Sequence, residues 1–292
     1  MKQSLLDRSF TTLNALILAV IGLLCFLPFV HIFAVSLSSN AAVTGGLVRF
    51  WPIDFSWQSY HYVLQDEKFV RSLIISLKRV VLGVSFTMSI TILTAYPLSK
   101  MQAQFRPRTF FAWFFVFTML FNGGLIPWFL IIDAVGLIDS IWALVIPSGV
   151  AVFHIILVLN FFRGLPKELE EAAYVDGASH WTLLFRIYIF LSLPVLATVL
   201  LFTMVTHWNS WFDGLILMNN PKDYPFQTYM QSVIIEGNIS SVVRIDLDRL
   251  SQASERSVKA AQIFLGTVPI LIAYPFLQRF FMQGIVLGSV KE

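Results

Sequence analysis

Long apolar stretches separated by shorter polar segments run through the whole sequence. Six of these stretches approach or exceed the roughly 20 residues that an α-helix needs to cross the hydrocarbon core of a bilayer. None of the intervening polar segments is long enough for a soluble domain. The pattern therefore predicts an all-α membrane protein in which residues 1–292 form a single domain. The six predicted spans are Leu13–Ser36, Val80–Leu98, Thr109–Leu130, Ile138–Phe162, Ile187–Phe212 and Val258–Phe280.

The first apolar stretch begins like a secretory signal peptide, because Lys2 and Arg8 precede the apolar run that starts at Leu13. The run continues to about Val35, however, and no small-residue cleavage site follows it. We therefore expect an uncleaved first helix that spans the membrane. Composition agrees, because 57% of the residues are hydrophobic and 13% are charged, whereas soluble domains carry about a quarter charged residues.

The distribution of lysine and arginine predicts the orientation of these spans. Their totals on the two sides are equal, so the short loops decide, because basic residues in short loops stay in the cytoplasm. The loop from Lys100 to Arg108 is basic without an acid, and the loop from Asp133 to Asp139 is acidic without a base. This predicts that both termini are cytoplasmic. Residues 163–186 then form a cytoplasmic loop, and residues 213–259 form a long extracytoplasmic loop.

Lys78 and Arg79 interrupt the apolar run that starts at Leu73, just before the predicted second span. Our interpretation is an outer interfacial turn whose long side chains reach back to the headgroups. The alternative is a charge that lines a pore, since ionisable residues inside membranes are commonly functional.

The polar segment at residues 163–186 has the features of two short helices around a corner. Leu165-Pro166 precedes the first helix, and proline suits a helix start. Gly177 permits a bend, and Ser179 can cap a second helix that leads into the fifth span. Three glutamates fall near the positive end of the first helix dipole: Glu168, Glu170 and Glu171.

The composition of this segment predicts docking to a protein rather than to lipid. Helices that lie on a lipid surface usually have a basic polar face and large apolar anchors. This segment is acidic, with Asp176 beside the glutamates, and its small residues Ala172, Ala173 and Gly177 recur at helical spacing. Small residues allow another surface to approach the helix closely.

The stretch E-A-A-Y-V-D-G-A-S-H-W-T-L-L-F-R, from Glu171 to Arg186, resembles the EAA loop of ABC-importer permease subunits. The family pattern is E-A-A, three residues, glycine, nine residues, and then Ile-x-Leu-Pro. The Leu-Pro pair is replaced by Ile189 and Phe190, and Pro194 follows in L-S-L-P. The matching residues are Glu171, Ala172, Ala173, Gly177 and Ile187.

Other stretches resemble a subgroup of the maltose-type carbohydrate-uptake permeases, namely the importers of complex sugars and polysaccharides. The Asp-Gly-Ala-Ser run at residues 176–179 extends the EAA loop as in sugar importers. Phe121–Pro127 and the tail Ser257–Glu292 are similar to that subgroup. The resemblance extends over almost the whole chain.

This resemblance implies a coupling helix that sits in a cleft of a separate ATPase subunit and passes its movement to the spans. Glu171 is then expected to make a polar contact with the ATPase, and Gly177 to form the corner. The full set of predicted coupling residues is Glu171, Ala172, Ala173, Asp176 and Gly177.

The expected assembly contains a second, similar permease subunit in a heterodimer, two ATP-binding subunits and an extracytoplasmic solute-binding protein. The chain lacks the G-x-x-x-x-G-K-[ST] phosphate loop. We therefore expect it to bind no cofactor and to perform no catalysis, while ATP and Mg²⁺ are used by the partner ATPase. The expected location is the bacterial cytoplasmic (inner) membrane, where the spans contact lipid.

Tryptophans and tyrosines collect near the predicted outer ends of the spans. Aromatic belts at the membrane surface explain most of them, and stacking on sugar rings is the functional alternative. Non-helical backbone at membrane depth lines cavities or is buried, so aromatics beside amides and glycines are the better candidates. The predicted substrate-path residues are Asn122, Gly123, Gly124, Trp128, Trp208, Asn209 and Trp211.

Other chemistry is not indicated by the sequence. His31, His154 and His207 lack metal-ligand spacing, so we expect no metal site, and a net charge of +3 does not indicate nucleic acid. The predicted outer loop holds a mixed-charge region that either contacts the binding protein or packs on a partner subunit. That region comprises Asp246, Asp248, Arg249, Glu255 and Arg256.

The sequence therefore predicts a permease subunit that imports a carbohydrate, specifically an oligosaccharide. One alternative is the same architecture with a peptide or polyol as cargo. A second is an ion-coupled secondary transporter, and a third is a membrane enzyme or scaffold.

Overall fold

The computed structural model describes residues 5–235 and 254–289, which contain helices and connecting turns and no strand. The mixed-charge residues Asp246, Asp248 and Arg249 lie outside this part, as do residues 236–253 of the predicted outer loop. The α-helices are α1 Leu5–Ser36, α2 Asn40–Thr44, α3 Gln58–Gln65, α4 Glu67–Ser99, α5 Arg108–Leu120, α6 Leu125–Ala134, α7 Ile141–Val145, α8 Val152–Arg163, α9 Lys167–Val175, α10 His180–Leu183, α11 Ile189–Leu191, α12 Leu193–Asn209, α13 Phe212–Leu217, α14 Phe226–Ile235 and α15 Glu255–Ser289.

The described residues fall into two compact units, of which the first comprises 5–70 and 254–269. Its α1 has no buried residue in its most apolar window, so lipid or another subunit must cover this helix. Near the end of α1, Ala34 packs with Ala42 and Val43 of α2 in a small core. The Ser36 and Tyr60 hydroxyls are hydrogen-bonded at 2.7 Å.

The second unit, residues 71–235 and 270–289, contains the elements that position the candidate site. One core cluster joins the end of α4 to α8, α9, α12 and the segment that leads into α12. Its buried members are Ala95, Tyr96, Leu98, Ile155, Val158, Phe162, Ala173, Leu183, Leu184, Tyr188, Leu196 and Val199. The short helix α9 is therefore fixed to the ends of much longer helices.

Three helices are continuous, long and apolar enough to cross a bilayer: Phe10–Ser36, Glu67–Ser99 and Glu255–Pro275. Two bent helix pairs raise the number of candidate spans to as many as five among the described residues. The predicted all-α architecture is thus confirmed. Of the six predicted spans, three are continuous helices, and the third, fourth and fifth are interrupted.

The predicted third span is broken between α5 and α6, whose axes differ by 118°. Gly124 adopts φ +86°, a left-handed conformation that cannot continue an α-helix. The Asn122 side-chain oxygen accepts a 2.9 Å hydrogen bond from the Gly124 backbone N–H and holds the corner.

The predicted fourth and fifth spans are interrupted near prolines. Residues 146–151, which include Pro147, separate α7 from the shorter apolar helix α8. Ser192 separates α11 from α12, and the helices on its two sides differ in direction by 81°. Pro194 starts α12, and proline cannot supply the N–H that would continue the preceding helix.

The interpretation of Lys78 and Arg79 as an interfacial turn is wrong. Both residues lie inside α4, which begins 13 residues before the predicted span at Val80, and only Lys78 is exposed. Arg79 is 1% exposed because its guanidinium forms an ion pair with Asp213.

Candidate functional site

The EAA-like segment forms the predicted helix, corner and second helix. Pro166 is the residue immediately before α9, which ends at Val175. Gly177 has φ +75°, and the backbone N–H of Ala178 returns to the Ala173 carbonyl at 2.9 Å. The Ser179 hydroxyl then accepts a 3.2 Å hydrogen bond from the Thr182 N–H and caps α10. The sequence prediction of this local geometry is confirmed.

The predicted coupling residues do not share one face of α9. Glu171, Ala172, Asp176 and Gly177 are exposed, whereas Ala173 is 7% exposed and belongs to the unit's own core. Sequence reasoning also missed an apolar side chain that lies beside the exposed acids. Val175, at the end of α9, is 88% exposed. The exposed residues Glu171, Ala172, Val175 and Asp176 are called the tip of α9 below.

The opposite side of α9 is fixed by a buried ion pair. The Lys100 ammonium lies 2.9 Å from one carboxylate oxygen of Glu170, and the two side chains are 5% and 16% exposed. The Tyr188 hydroxyl donates a 2.8 Å hydrogen bond to the other oxygen of Glu170 and accepts one of 3.0 Å from Lys100.

Aromatic rings enclose this ion pair. The Lys100 ammonium lies 4.4 Å from the centre of the Tyr96 ring and 4.3 Å from that of Tyr188, and ring faces attract cations. The hydroxyls of Tyr96 and Tyr174 lie 3.2 and 3.0 Å from Nδ1 of His180. The end of α4, the inner side of α9 and the start of α10 are thereby joined.

Burial and pairing act in opposite directions on the two charges. Burial lowers the pKa of the Lys100 ammonium, and the Glu170 carboxylate opposes that shift. Burial alone raises the pKa of Glu170, but the contacts from Lys100 and Tyr188 outweigh it and hold the pKa below its usual value. Glu170 is therefore ionised at neutral pH, as an ion pair requires.

Tyr188 lies in a π-helical turn, Leu184–Tyr188, where the helix is locally widened. Such turns occur frequently at functional sites. The matched family position Ile187 falls in the same turn. The turn places Tyr188 between Lys100 and Glu170, as the hydrogen bonds above show.

A cavity of about 330 Å³ adjoins the ion pair at the root of α9. Four cationic side chains line it, together with Glu170 and Glu171. Its basic lining comprises Lys100, Arg108, Arg163 and Lys167.

The predicted substrate-path residues form two groups. Asn122, Gly123 and Gly124 make the exposed corner between α5 and α6, and Trp128 is half-buried against the core around Ile132. No hydrogen bond or ring contact joins this group to the second one within residues 5–235 and 254–289.

The second group surrounds the break between α12 and α13. Asn209 is exposed and Trp211 is half-buried. Trp208, in contrast, is 4% exposed and lies 6.1 Å from the Phe226 ring. Because Trp208 is buried, only Asn209 and Trp211 of this group are accessible to a solute.

The buried Arg79 lies next to this second group. Its Nη1 donates 3.2 Å hydrogen bonds to the Ser210 carbonyl and to Asp213. Asp213 also accepts hydrogen bonds from the Ser210 hydroxyl at 2.8 Å and from the Gly214 backbone at 2.9 Å. This cluster ties α4 to the α12–α13 break.

Sequence reasoning missed both ion pairs, because their members are 70 or more residues apart in the chain. Glu170 stood among three glutamates, and nothing in the sequence separates the inward-facing one from the exposed ones. Only one feature of the sequence indicated that Arg79 is buried, namely its position beside an apolar run. In the part of the chain that the structure describes, no group of three or more His, Cys, Asp or Glu side chains could hold a metal.

The chain is similar to a known protein family and to several individual transport proteins. A family model described as a binding-protein-dependent transport system inner membrane component matches residues 77–286. The polygalacturonan/rhamnogalacturonan transport system permease protein YtcP of Bacillus subtilis is 36% identical over 98% of this chain and 99% of its own. The lactose transport system permease protein LacG of Rhizobium radiobacter is 23% identical over 94% of each chain.

Solved structures are similar as well. A chain from the crystal structure of a bacterial ABC transporter that imports the acidic polysaccharide alginate gives a TM-score of 0.86. It is 33% identical and covers 96% of this chain and 99% of its own. A second alginate transporter structure, in complex with a periplasmic protein that binds an alginate pentasaccharide, has a TM-score of 0.56 at 18% identity and supports the fold alone.

Proposed function

The chain belongs to the family of binding-protein-dependent transport system inner membrane components, and we propose that α9 couples it to a separate ATPase subunit. Membership establishes a permease subunit of an ABC importer for carbohydrates, located in the inner membrane, which is not itself the ATPase.

The observation that carries the proposal is the division of α9 into an exposed tip and an anchored inner side. The tip offers one apolar side chain, Val175, between the acids Glu171 and Asp176, and Ala172 leaves room for a partner surface. The inner side is held by Glu170. A force on the tip is therefore passed to the longer helices, since the anchor prevents α9 from swinging freely.

Gly177 supports this role through the backbone rather than through a side chain. Its left-handed conformation turns the chain sharply, so that Asp176 and Val175 project from the corner. A Cβ at this position would meet nothing within 4 Å. The space beyond the corner is open for a partner protein.

We propose an assembly of this subunit with a second, similar permease, two ATPase subunits and an extracytoplasmic binding protein. ATP and Mg²⁺ bind to the ATPase subunits, and this chain binds no cofactor. Closure of the ATPase pair on ATP pulls α9, and the shared cavity changes from inward-open to outward-open. Release of the hydrolysis products reverses the change.

The proposed topology has six crossings, with both termini and residues 163–186 in the cytoplasm. The bent pairs α5–α6 and α10–α12 each make one crossing. The shorter α8, together with α7, makes another. The remaining three crossings are α1, α4 and α15. Residues 213–259 then face the extracytoplasmic side, where the binding protein delivers its cargo.

We propose an oligosaccharide that contains uronic acids as the cargo. Two relatives that cover nearly the whole chain at 33–36% identity are described as transporting polygalacturonan or the acidic polysaccharide alginate. The lactose relative is more distant, at 23% identity. Asn122, Gly123, Gly124, Trp128 and the pair Asn209 and Trp211 are the proposed path residues. Trp208 packs in the interior beside Phe226 and is left out of the path.

Affinity purification of the tagged chain from its own host in mild detergent tests this function. We expect an ATPase and a second permease to copurify, and Glu171→Arg, Val175→Arg and Gly177→Trp to lose the ATPase while keeping the permease. Val135→Arg is the matched control, because Val135 is 67% exposed but lies between α6 and α7. A stable chain that brings down no ATPase contradicts the proposal, and uptake without an ATPase would favour ion-coupled transport.

The cargo is tested in proteoliposomes that contain the purified complex and the binding protein. Uptake of a labelled uronate oligosaccharide should depend on ATP and be reduced by excess unlabelled uronate oligosaccharide. A neutral oligosaccharide of equal length, a peptide and a polyol serve as competitors. Equal competition by the neutral sugar contradicts the uronate assignment, and competition by the peptide or polyol alone contradicts the carbohydrate assignment.

A further inference from the structure

Two buried charges, Arg79 and Lys100, mark the ends of the part of α4 that would cross the membrane. The helix is continuous from Glu67 to Ser99, with Arg79 inside it and Lys100 immediately after it. These two residues are 21 positions apart (100 − 79), which corresponds to about 31 Å at 1.5 Å per residue. That distance matches the hydrocarbon thickness of a bilayer, about 30 Å.

At one end, Lys100 joins α4 to the coupling helix. Its ammonium contacts Glu170 of α9 at 2.9 Å and donates to the Tyr188 hydroxyl at 3.0 Å. The Arg163 guanidinium adds a 3.1 Å hydrogen bond to the carbonyl of Leu98 in the last turn of α4. A displacement of α9 along the direction of α4 must therefore move this end of α4 or break a buried ion pair.

At the other end, Arg79 joins α4 to the break between α12 and α13. Its partners are Asp213 and the Ser210 carbonyl. Ser210 lies between Asn209 and Trp211, which are the accessible members of the second path group. Asp213 is in turn fixed by the Gly214 backbone, so the arginine holds a backbone turn and not just one flexible side chain.

Between these ends, α4 packs closely against neighbouring elements at two points. A Cβ on Gly83 would overlap the His207 ring of α12, and a Cβ on Gly149 would overlap the Phe86 ring of α4. The absence of side chains at both glycines lets neighbouring elements approach α4 directly. Pro97, the proline of α4, falls in its last turn. The helix is unbroken from Arg79 to this last turn, so it forms a continuous connection between the two charges.

We propose that α4 is the element that connects the ATPase docking helix with the sugar path, and that Lys100 and Arg79 are the positioning residues which attach it at its two ends. This inference rests on the proposed function, since it requires that α9 docks an ATPase. It adds a physical route between two sites that no hydrogen bond joins directly in the described residues. Buried ion pairs suit this task because separating the charges in a low-dielectric interior is strongly unfavourable.

Signalling across the membrane can be measured, and ion pairs that only stabilise the fold would not affect it. In a binding-protein-dependent importer, the sugar-loaded binding protein acts from outside, whereas ATP is hydrolysed inside. Stimulation of ATP hydrolysis by the loaded binding protein therefore measures transmission across the membrane. Spatial intermediacy alone does not establish a route, so the two ends must be shown to act in series.

The experiment uses the whole complex in lipid nanodiscs, with ATP hydrolysis measured without and with the sugar-loaded binding protein. Lys100→Met and Arg79→Met should each reduce the stimulation at least tenfold, while the ATPase subunits stay bound in equal amounts. The double variant should be no worse than either single variant, because one broken link already interrupts a series. Independent contributions would instead multiply.

Controls separate charge pairing from general damage. Lys78→Met removes the exposed charge next to Arg79 and should retain the stimulation, as should Lys100→Arg. The reversed pair Lys100→Glu with Glu170→Lys should recover at least part of the stimulation that Lys100→Met loses. This reversed pair also decides the matter should Lys100→Met fail to fold, since it keeps both charges.

Three results would overturn the inference. They are full stimulation in Lys100→Met or Arg79→Met, multiplied losses in the double variant, and loss of the ATPase from the Lys100→Met complex. The last would make Lys100 a docking residue. Failure of the proposed function looks different, because the unaltered chain would then bind no ATPase at all.

Discussion

Gly177 shows how one residue shapes the candidate site without any side-chain contact. Its φ of +75° is rare for residues with a Cβ. The space around it is open, so a substitution is strained by the backbone and not by crowding. Glycine is therefore needed here for its backbone conformation. At Gly83, by contrast, glycine is needed because a neighbouring side chain packs closely against it.

This distinction predicts the order of variants at Gly177. Gly177→Asn should keep most ATPase binding, because asparagine tolerates the left-handed conformation. Gly177→Val should lose most of it, since left-handed geometry costs an L-residue about 1–2 kcal/mol and a β-branched side chain fits it worst. Quantitative pull-down of the ATPase measures both. Equal retention by the two variants would show that the corner conformation is not needed.

Glu170 and Glu171 are adjacent, yet the structure gives them different surroundings. Glu170 faces Lys100 and Tyr188, and Glu171 faces solvent. The lowered pKa of Glu170 means that its ionised form stabilises the folded chain. That stabilisation is complete above the unfolded pKa, about 4.3, and is lost as the pH falls through the lower folded pKa.

The pH dependence of stability checks this assignment. Glu170→Gln should lower the free energy of unfolding by about 3 kcal/mol, the usual cost of breaking a buried pair. The resulting difference in Tm should be constant from neutral pH to about pH 5 and narrow only near and below about 4.3. Glu168→Gln, at an exposed glutamate, should change Tm little. A difference that disappears between about pH 7 and 5 would contradict the assignment.

At the scale of elements, the apolar pattern predicted where the helices run but not where they break. The continuous helices α1, α4 and α15 cover the first, second and sixth predicted spans. Interrupted spans escape a hydropathy pattern because residues 121–124 and Ser192 lie among apolar neighbours. The corner at Gly124 depends on a backbone angle, and the pattern of apolar residues does not report backbone angles.

The coupling segment was more predictable than the substrate path. Proline before α9, glycine at the corner and serine at the cap are local signals, and all three operate as expected. The inward side of α9 could not be predicted, because Lys100 approaches it from 70 residues away. The same applies to Arg79, whose partner Asp213 is 134 residues distant.

Close packing of α4 on α12 gives a prediction at this scale. Gly83→Ala should destabilise the chain by about 1–3 kcal/mol, because its Cβ meets the buried His207 ring. The double variant Gly83→Ala/His207→Ser should recover part of that loss. Gly22→Ala is the control, since a Cβ there meets nothing within 4 Å. Thermal unfolding in detergent measures all three, and a neutral Gly83→Ala would contradict the close approach.

At the scale of the whole molecule, exposed apolar side chains indicate which surface faces lipid or another subunit. The single cysteine, Cys25, is exposed within the continuous span Phe10–Ser36. In a membrane protein, lipid covers such a position. Soluble proteins rarely expose so large a continuous apolar surface to water.

Cys25 accordingly reports whether α1 crosses the bilayer. In inside-out membrane vesicles that carry the chain without its ATPase, it should resist a charged, water-soluble thiol reagent while Val175→Cys reacts within minutes. Denaturation in detergent should then expose Cys25 to the same reagent. Rapid modification of Cys25 in the intact vesicles would contradict a span at residues 10–36.

The most direct measurement of the central claim is a disulfide cross-link between the tip of α9 and the ATPase. The chain would carry Cys25→Ser and Val175→Cys, and the ATPase one cysteine in the surface cleft that faces the membrane. Val135→Cys, at another strongly exposed valine outside α9, provides the matched control. The account predicts that oxidation joins the ATPase to Val175→Cys, that ATP alters the yield, and that Val135→Cys gives no product. An ATPase that assembles with the complex but cross-links to Val135→Cys, or to neither position, would contradict coupling through α9.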